Sequence, residues 1–143
     1  MNIRKDEKND IIALSSLMTD LSRHPVTLDD VLNRLQLVKE SPIDSLFVCE
    51  ANCKIIGLLG FRIRENIEEV SRYGEVSALV VNVDDRLKGV GRCMIDYEEK
   101  LAKESGCKGT WLVSGFAREE QAHKFYERLG YVTTDYRFVK LFE

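Results

Sequence analysis

The segment RLKGVG, Arg86 to Gly91, sets two glycines among basic residues where an apolar run gives way to a helical pattern. A helix that starts near Gly89 leaves its first turn of main-chain N–H groups without helical partners. Those donors, together with the positive end of the helix dipole, make a site for an anion. Gly89 and Gly91 bring no side chain into its path, and Arg86, Lys88 and Arg92 add positive charge around it. The ligand this predicts is a phosphate or pyrophosphate. A tight turn with a glycine cap and solvated basic residues is the plainer alternative, because G-x-G alone also occurs without a ligand. The sequence excludes two nucleotide motifs. The G-x-x-x-x-G-K-S/T phosphate loop is absent, and a dinucleotide fingerprint needs a third glycine where Met94 stands.

The elements that must position this turn are legible on both sides of it. Residues 10–22 put Ile11, Leu14, Met18 and Leu21 on one helical face, and Pro25 closes that helix. Thr27 caps a second helix whose stripe is Leu28, Val31, Leu35 and Val38. The period then shortens: LFVCE and IIGLLGFRI read as strands joined by a tight turn at ANCK. After the polar stretch RENIEEVSR, the run YGEVSALVVNV reads as the strand that feeds the glycine turn, buried on both faces at Ala78 to Val81. Residues 89–105 form a helix with Val90, Met94, Tyr97 and Leu101 inward, stopped by Gly106. TWLVS is a short strand. Residues 118–129 form a helix with Ala122, Phe125, Tyr126 and Leu129 inward, stopped by Gly130. YVTTDYRFVKLF supplies one or two closing strands. The order is β-α-α-β-β-β-α-β-α-β, an α/β (α+β) arrangement with helices on both faces of a mixed sheet.

Composition narrows the class. The 143 residues suit one domain, 1–143, with no linker or repeat. A net charge of −3 argues against a nucleic-acid binder. No run of apolar residues is long enough to span a membrane, and the charged start MNIRKDEKND is no secretory signal, so a cytoplasmic location is expected. Cys49, Cys53, Cys93 and Cys107 lack the spacing of a metal site and read as free thiols in a reducing compartment; no metal is expected.

RLKGVG resembles the R/Q-x-x-G-x-G/A motif of the GCN5-related N-acetyltransferase (GNAT) superfamily, and it lies where that family has it, between the fourth strand and the third helix. AHKFYERLGY, residues 122–131, is similar to the family's second signature, A-x-x-x-Y-E-x-x-G-F/Y. The resemblance covers nearly the whole chain. It implies a GNAT fold, a central sheet of six to seven strands flanked by four helices, with acetyl-CoA as co-substrate. The pyrophosphate would lie on the N–H groups of Leu87, Lys88, Gly89, Val90, Gly91 and Arg92. The pantetheine arm would bond to the backbone of Leu79, Val80 and Val81, with TWLVS splayed away.

The chemistry so implied is acetyl transfer to a primary amine. Such an amine is mostly protonated near neutrality, with a pKa of about 10.4, so a base must take its proton, and an acid helps a thiolate of pKa about 8.5 to leave. Tyr126 aligns with the signature tyrosine and is the candidate acid. Glu75 is the candidate base, since strand parity puts it on the face of Leu79 and Val81 unless a bulge intervenes. His123, one helical turn before Tyr126, is the alternative base. Glu119 stands where many members carry an asparagine that touches the coenzyme. The acceptor site would be built from residues 20–30, RENIEEVSRYG and SGFARE, where Glu65, Glu68 and Glu69 would attract a cation. The expected acceptor is a small molecule, aminoglycoside- or polyamine-like. Acetylation of a protein lysine or N-terminus and a non-catalytic acyl-CoA sensor are the alternatives, and a homodimer is compatible with all three.

Overall fold

The computed structural model describes residues 1–115 and 120–142. Among these, five strands form one sheet in sequence order: β1 (Asn2–Lys5), β2 (Asp44–Ala51), β3 (Lys54–Glu65), β4 (Arg72–Val81) and β5 (Gly109–Leu112). The first four pair antiparallel, and β5 joins β4 in parallel. Four helices complete the fold: α1 (Ile11–Ser22), α2 (Leu28–Glu40), α3 (Val90–Glu104) and α4 (Gln121–Arg128).

Local chemistry accounts for the junctions. Thr27 accepts from the Asp30 N–H (3.1 Å) while Asp30 accepts from the Thr27 N–H (3.0 Å), a reciprocal cap that fixes the start of α2. Asn52 and Cys53 both hold positive φ, as a two-residue turn between β2 and β3 requires.

Alternation along the strands divides the core in two. Phe47, Cys49, Leu59, Phe61 and Val76 pack with Met94 and Ile95 of α3. Leu46, Val48, Leu58 and Val80 pack with Leu14, Leu17 and Val31 beneath α1 and α2. The sheet is thus covered on both faces.

Two expectations are corrected. The sheet has five strands among the described residues, not six or seven, because residues 131–142 join no ladder. The stripe of α3 also includes a fully buried carboxylate, Glu98.

Candidate active site

Between β4 and α3 the chain makes a short 3-10 turn, Val83–Asp85, and then the glycine turn. Leu87 and Gly89 hold positive φ of 63° and 82°. At Gly89, the N-cap of α3, that left-handed conformation costs glycine little, and a Cβ there meets nothing within 4 Å. No side chain caps the helix, and its first bond runs from the Cys93 N–H to the Gly89 carbonyl (3.0 Å). Among the described residues the N–H groups of Gly89, Val90, Gly91 and Arg92 therefore have no protein acceptor. Unpaired donors, open space and a helix dipole at one point are what an anion needs.

The side chains around the turn differ from the expected ring of free cations. Arg86 donates to the Val81 carbonyl (3.1 Å) and to the Asp20 carboxylate (2.6 Å), so it ties the turn to β4 and α1. Lys88 donates to the Asp84 carbonyl (3.1 Å) and lies 3.9 Å from Asp85. Arg92 is exposed and makes no ion pair among the described residues, so it is the cation left for a ligand. Gly91 has a packing reason: a Cβ there would come within 3.2 Å of the Phe125 ring, so this glycine lets α4 lie close against α3.

Beyond the turn, β4 and β5 part. Their ladder ends at the pair Val76–Leu112. At the same level β4 bulges, with Gly60 opposite Ala78 and Phe61 opposite Val76, so Ser77 is the extra residue. The gap is a cleft of about 220 Å³. Val76, Ser77, Ala78 and Leu79 form one wall and Leu112 to Gly115 the other. Leu21 of α1 borders it from one face of the sheet, and Ala122 and Tyr126 of α4 border it from the other. The opening therefore leads through the sheet.

This architecture can be compared with known proteins. A family model for the acetyltransferase (GNAT) domain matches residues 42–133, which hold the turn, the cleft and α4. The chain belongs to the GNAT acetyltransferase family. Among curated GNAT relatives, it is 29% identical over 128 residues to an uncharacterized N-acetyltransferase, YhdJ, of Bacillus subtilis, covering 89% of this chain and 85% of that one. It is 28% identical over 89 residues to an aminoalkylphosphonate N-acetyltransferase of Salmonella typhimurium, covering 62% of this chain and 57% of that one. Among solved structures, an aminoglycoside N-acetyltransferase, AAC(6')-Iy, in complex with CoA superposes with a TM-score of 0.84 over 99% of this chain and 93% of that one, at 18% identity. Acetyl-CoA is the co-substrate of such a domain, and the free N–H groups at Gly89 to Arg92 fit its pyrophosphate.

The sequence-predicted GNAT residues fall into three groups. Leu79 and Tyr126 line the cleft. Val80 is buried in the core under α1 and α2, and the Val81 carbonyl accepts from Arg86. Glu75 is where parity fails. The Ser77 bulge puts Val76 on the α3 face with Leu79 and Val81, which leaves Glu75 on the opposite face. There it accepts from Arg64 Nε (2.8 Å), and the Arg64 guanidinium lies over the Trp111 ring, 5.5 Å from its centre.

His123 is half-buried on α4 and does not line the cleft. Phe116 to Glu119, the rest of SGFARE, lie outside the described residues. Of the acidic loop, Glu65 pairs with Arg72, while Glu69 accepts from Ser71 and lies 3.5 Å from Lys108; only Glu68 makes no ion pair among the described residues. The sequence reading missed Ser77 and the Arg64–Trp111 pair, while Leu21 falls within the expected acceptor segment 20–30. The one available signal was a serine interrupting the apolar run of β4.

Proposed function

We propose that residues 1–143 form one N-acetyltransferase domain that moves the acetyl group of acetyl-CoA to the primary amine of a small molecule. The observation that carries this reading is the opening between β4 and β5, bordered by α1 on one face and by α4 on the other. In it, the coenzyme enters from the α3–α4 face, where the Gly89–Arg92 donors hold its pyrophosphate, and the amine enters from the α1 face. A cleft of about 220 Å³ suits a thioester end and a small amine better than a peptide. The phosphonate- and aminoglycoside-acetylating proteins named above point to the same acceptor class. The four unpaired thiols and the absence, among the described residues, of a helix able to cross a membrane accord with a cytoplasmic location.

Glu75, on the amine's face of the sheet, attracts the ammonium and accepts its proton through water. Its bond to Arg64 keeps the carboxylate oriented. Tyr126 borders the cleft from the other face and gives its phenolic proton to the departing sulfur. Bringing amine and thioester together in the cleft supplies most of the remaining acceleration.

Release of free thiol from acetyl-CoA, measured over a panel of aminoalkylphosphonates, aminoglycosides, polyamines, lysine peptides and peptide N-termini, tests the reading. Turnover on a small amine is expected, with at least tenfold lower kcat/KM on every peptide. Preference for a peptide would make the protein a protein acetyltransferase, and coenzyme binding without turnover on any acceptor would make it a sensor. Tyr126→Phe is expected to lower kcat about a hundredfold with the KM for acetyl-CoA unchanged, within the usual range for a positioned acid. An unchanged kcat across the pH range would remove Tyr126 from the proton path.

A further inference from the structure

Beside the cleft, the α1 face of the sheet carries two guanidiniums, each held at one corner and open on the rest of its edge. Phe61 and Ile63 point into the α3 core, so Arg62 and Arg64 of β3 stand on the α1 face. Glu75 lies opposite Arg62 in the β3–β4 ladder, and Trp111 lies opposite Glu75 in the β4–β5 ladder. The cleft begins one step further along the same face. Its wall residue Ser77 sets its hydroxyl over Gly60, where a Cβ on that glycine would run into it.

Both arginines are fixed from behind. Arg62 donates through Nε to Asp44 (2.6 Å), and Ser41 donates to the other oxygen of that carboxylate (2.9 Å). Arg64 donates through Nε to Glu75 (2.8 Å), with Nη2 at 3.5 Å from the second oxygen, and lies over the Trp111 ring. Nη1 and Nη2 of Arg62 and Nη1 of Arg64 make no hydrogen bond among the described residues. The two side chains are 34% and 42% exposed, so these donors are open to a ligand. A guanidinium already oriented at Nε loses little further freedom when its outer fork takes an oxyanion.

The charges of this patch balance: Arg62 and Arg64 against Asp44 and Glu75. A polycation brought here meets two guanidiniums, and a polyanion meets two carboxylates. A molecule with one group of each sign finds a partner for both. Strand geometry sets the spacing. Arg62 and Glu75 are direct cross-strand neighbours, about 5 Å apart, a span that two or three carbons between an amine and an acid cover.

We infer that the acceptor is a small primary amine that also carries an oxyanion (a phosphonate, phosphate, sulfonate or carboxylate), which Arg62 and Arg64 hold while its amine faces Glu75 and the thioester. The inference rests on the reading above, in which the amine enters from the α1 face. It narrows that reading: Arg62 and Arg64 select the acceptor, and polyamines and aminoglycosides are disfavoured.

Matched amines with a two-carbon spacer test it by thiol release. Aminoethylphosphonate, phosphoethanolamine, aminoethanesulfonate and β-alanine carry the acid, ethanolamine is uncharged at that end, and ethylenediamine carries a second amine. The best acid-bearing amine should exceed ethanolamine in kcat/KM by about tenfold or more, the usual worth of a hydrogen bond to a charged group, and ethylenediamine should rank last. Which oxyanion leads names the head group. Arg62→Gln keeps a donor for Asp44 and should remove most of that advantage, through the acceptor KM more than through kcat. Arg62→Lys, which keeps the charge without the fork, should recover part of it. Coenzyme A binding and the far-UV spectrum are the controls for folding. Ethanolamine or ethylenediamine ahead of every acid-bearing amine would overturn this inference and leave the small-molecule acetyltransferase standing. So would an Arg62→Gln variant that weakens all the amines equally, the mark of a merely structural arginine. Turnover on none of them would bring down the acceptor class itself, and this inference with it.

Discussion

Glutamate in place of Gly89 should raise the KM for acetyl-CoA about a hundredfold, whereas alanine at the same position should raise it only a few-fold. The two substitutions share one cost. Gly89 holds φ 82°, and any L-residue there gives up about 1–2 kcal/mol to adopt the left-handed region. Neither creates a clash, because nothing lies within 4 Å of the added Cβ. They differ in what they put at the mouth of the helix. Alanine leaves the four free N–H groups and the positive dipole end as they were, while glutamate brings its own anion to them and repels a pyrophosphate. A hundredfold change corresponds to about 2.7 kcal/mol, within reach of one competing charge placed at the anion site itself. Thermal unfolding of the two variants should drop equally, and steady-state kinetics in acetyl-CoA should separate them. If both variants show the same KM, the turn does not bind the diphosphate and the assignment of Leu87 to Arg92 falls.

That turn is legible in the sequence because its signal is local: two glycines, a helix start and the motif spacing all sit within six residues. The Thr27 cap, the Asn52–Cys53 turn and the element order through α4 were readable for the same reason. What escaped depends on partners far away in sequence. The bulge at Ser77 is a relation between β4 and the Gly60–Phe61 step of β3, and it alone moves Glu75 to the other face. Arg86 looked like a ligand for an anion, but its partner Asp20 lies 66 residues earlier, on α1. Gly91 looked like room for a ligand and is room for Phe125. Residues 131–142 have the composition of strands, but a strand needs a neighbour, and composition does not name one.

Between pH 5 and pH 8 the protein should lose roughly 2–3 kcal/mol of stability through one side chain, Glu98. Glu98 lies on the buried stripe of α3 and is fully inaccessible to solvent. Thr110 donates its hydroxyl to Oε1 (2.6 Å), but Oε2 has no hydrogen-bond partner among the described residues. Burial pushes the carboxyl up to about 7, against the Thr110 bond, which favours the anion, and with help from the nearby charge of Glu99. The other titratable neighbour is the Tyr131 hydroxyl, which burial keeps protonated throughout this range. A carboxyl raised on folding binds its proton more tightly in the native state than in the unfolded one. Its contribution is therefore complete below the unfolded value of about 4.5 and is lost as pH rises through about 7. Above that, the native state must bury a charge with one oxygen unsatisfied. Glu98→Gln keeps an oxygen to accept from Thr110 and removes the ionisation. Denaturant unfolding of both proteins at pH 5 and pH 8 should then show a fall in the wild type that the variant lacks, with the variant the more stable at pH 8. At pH 5 the two should lie close together, because Glu98 is then neutral and the glutamine amide inherits the same unpartnered position. Equal slopes in the two proteins would mean that Glu98 ionises at an ordinary value inside the fold, and that water reaches Oε2.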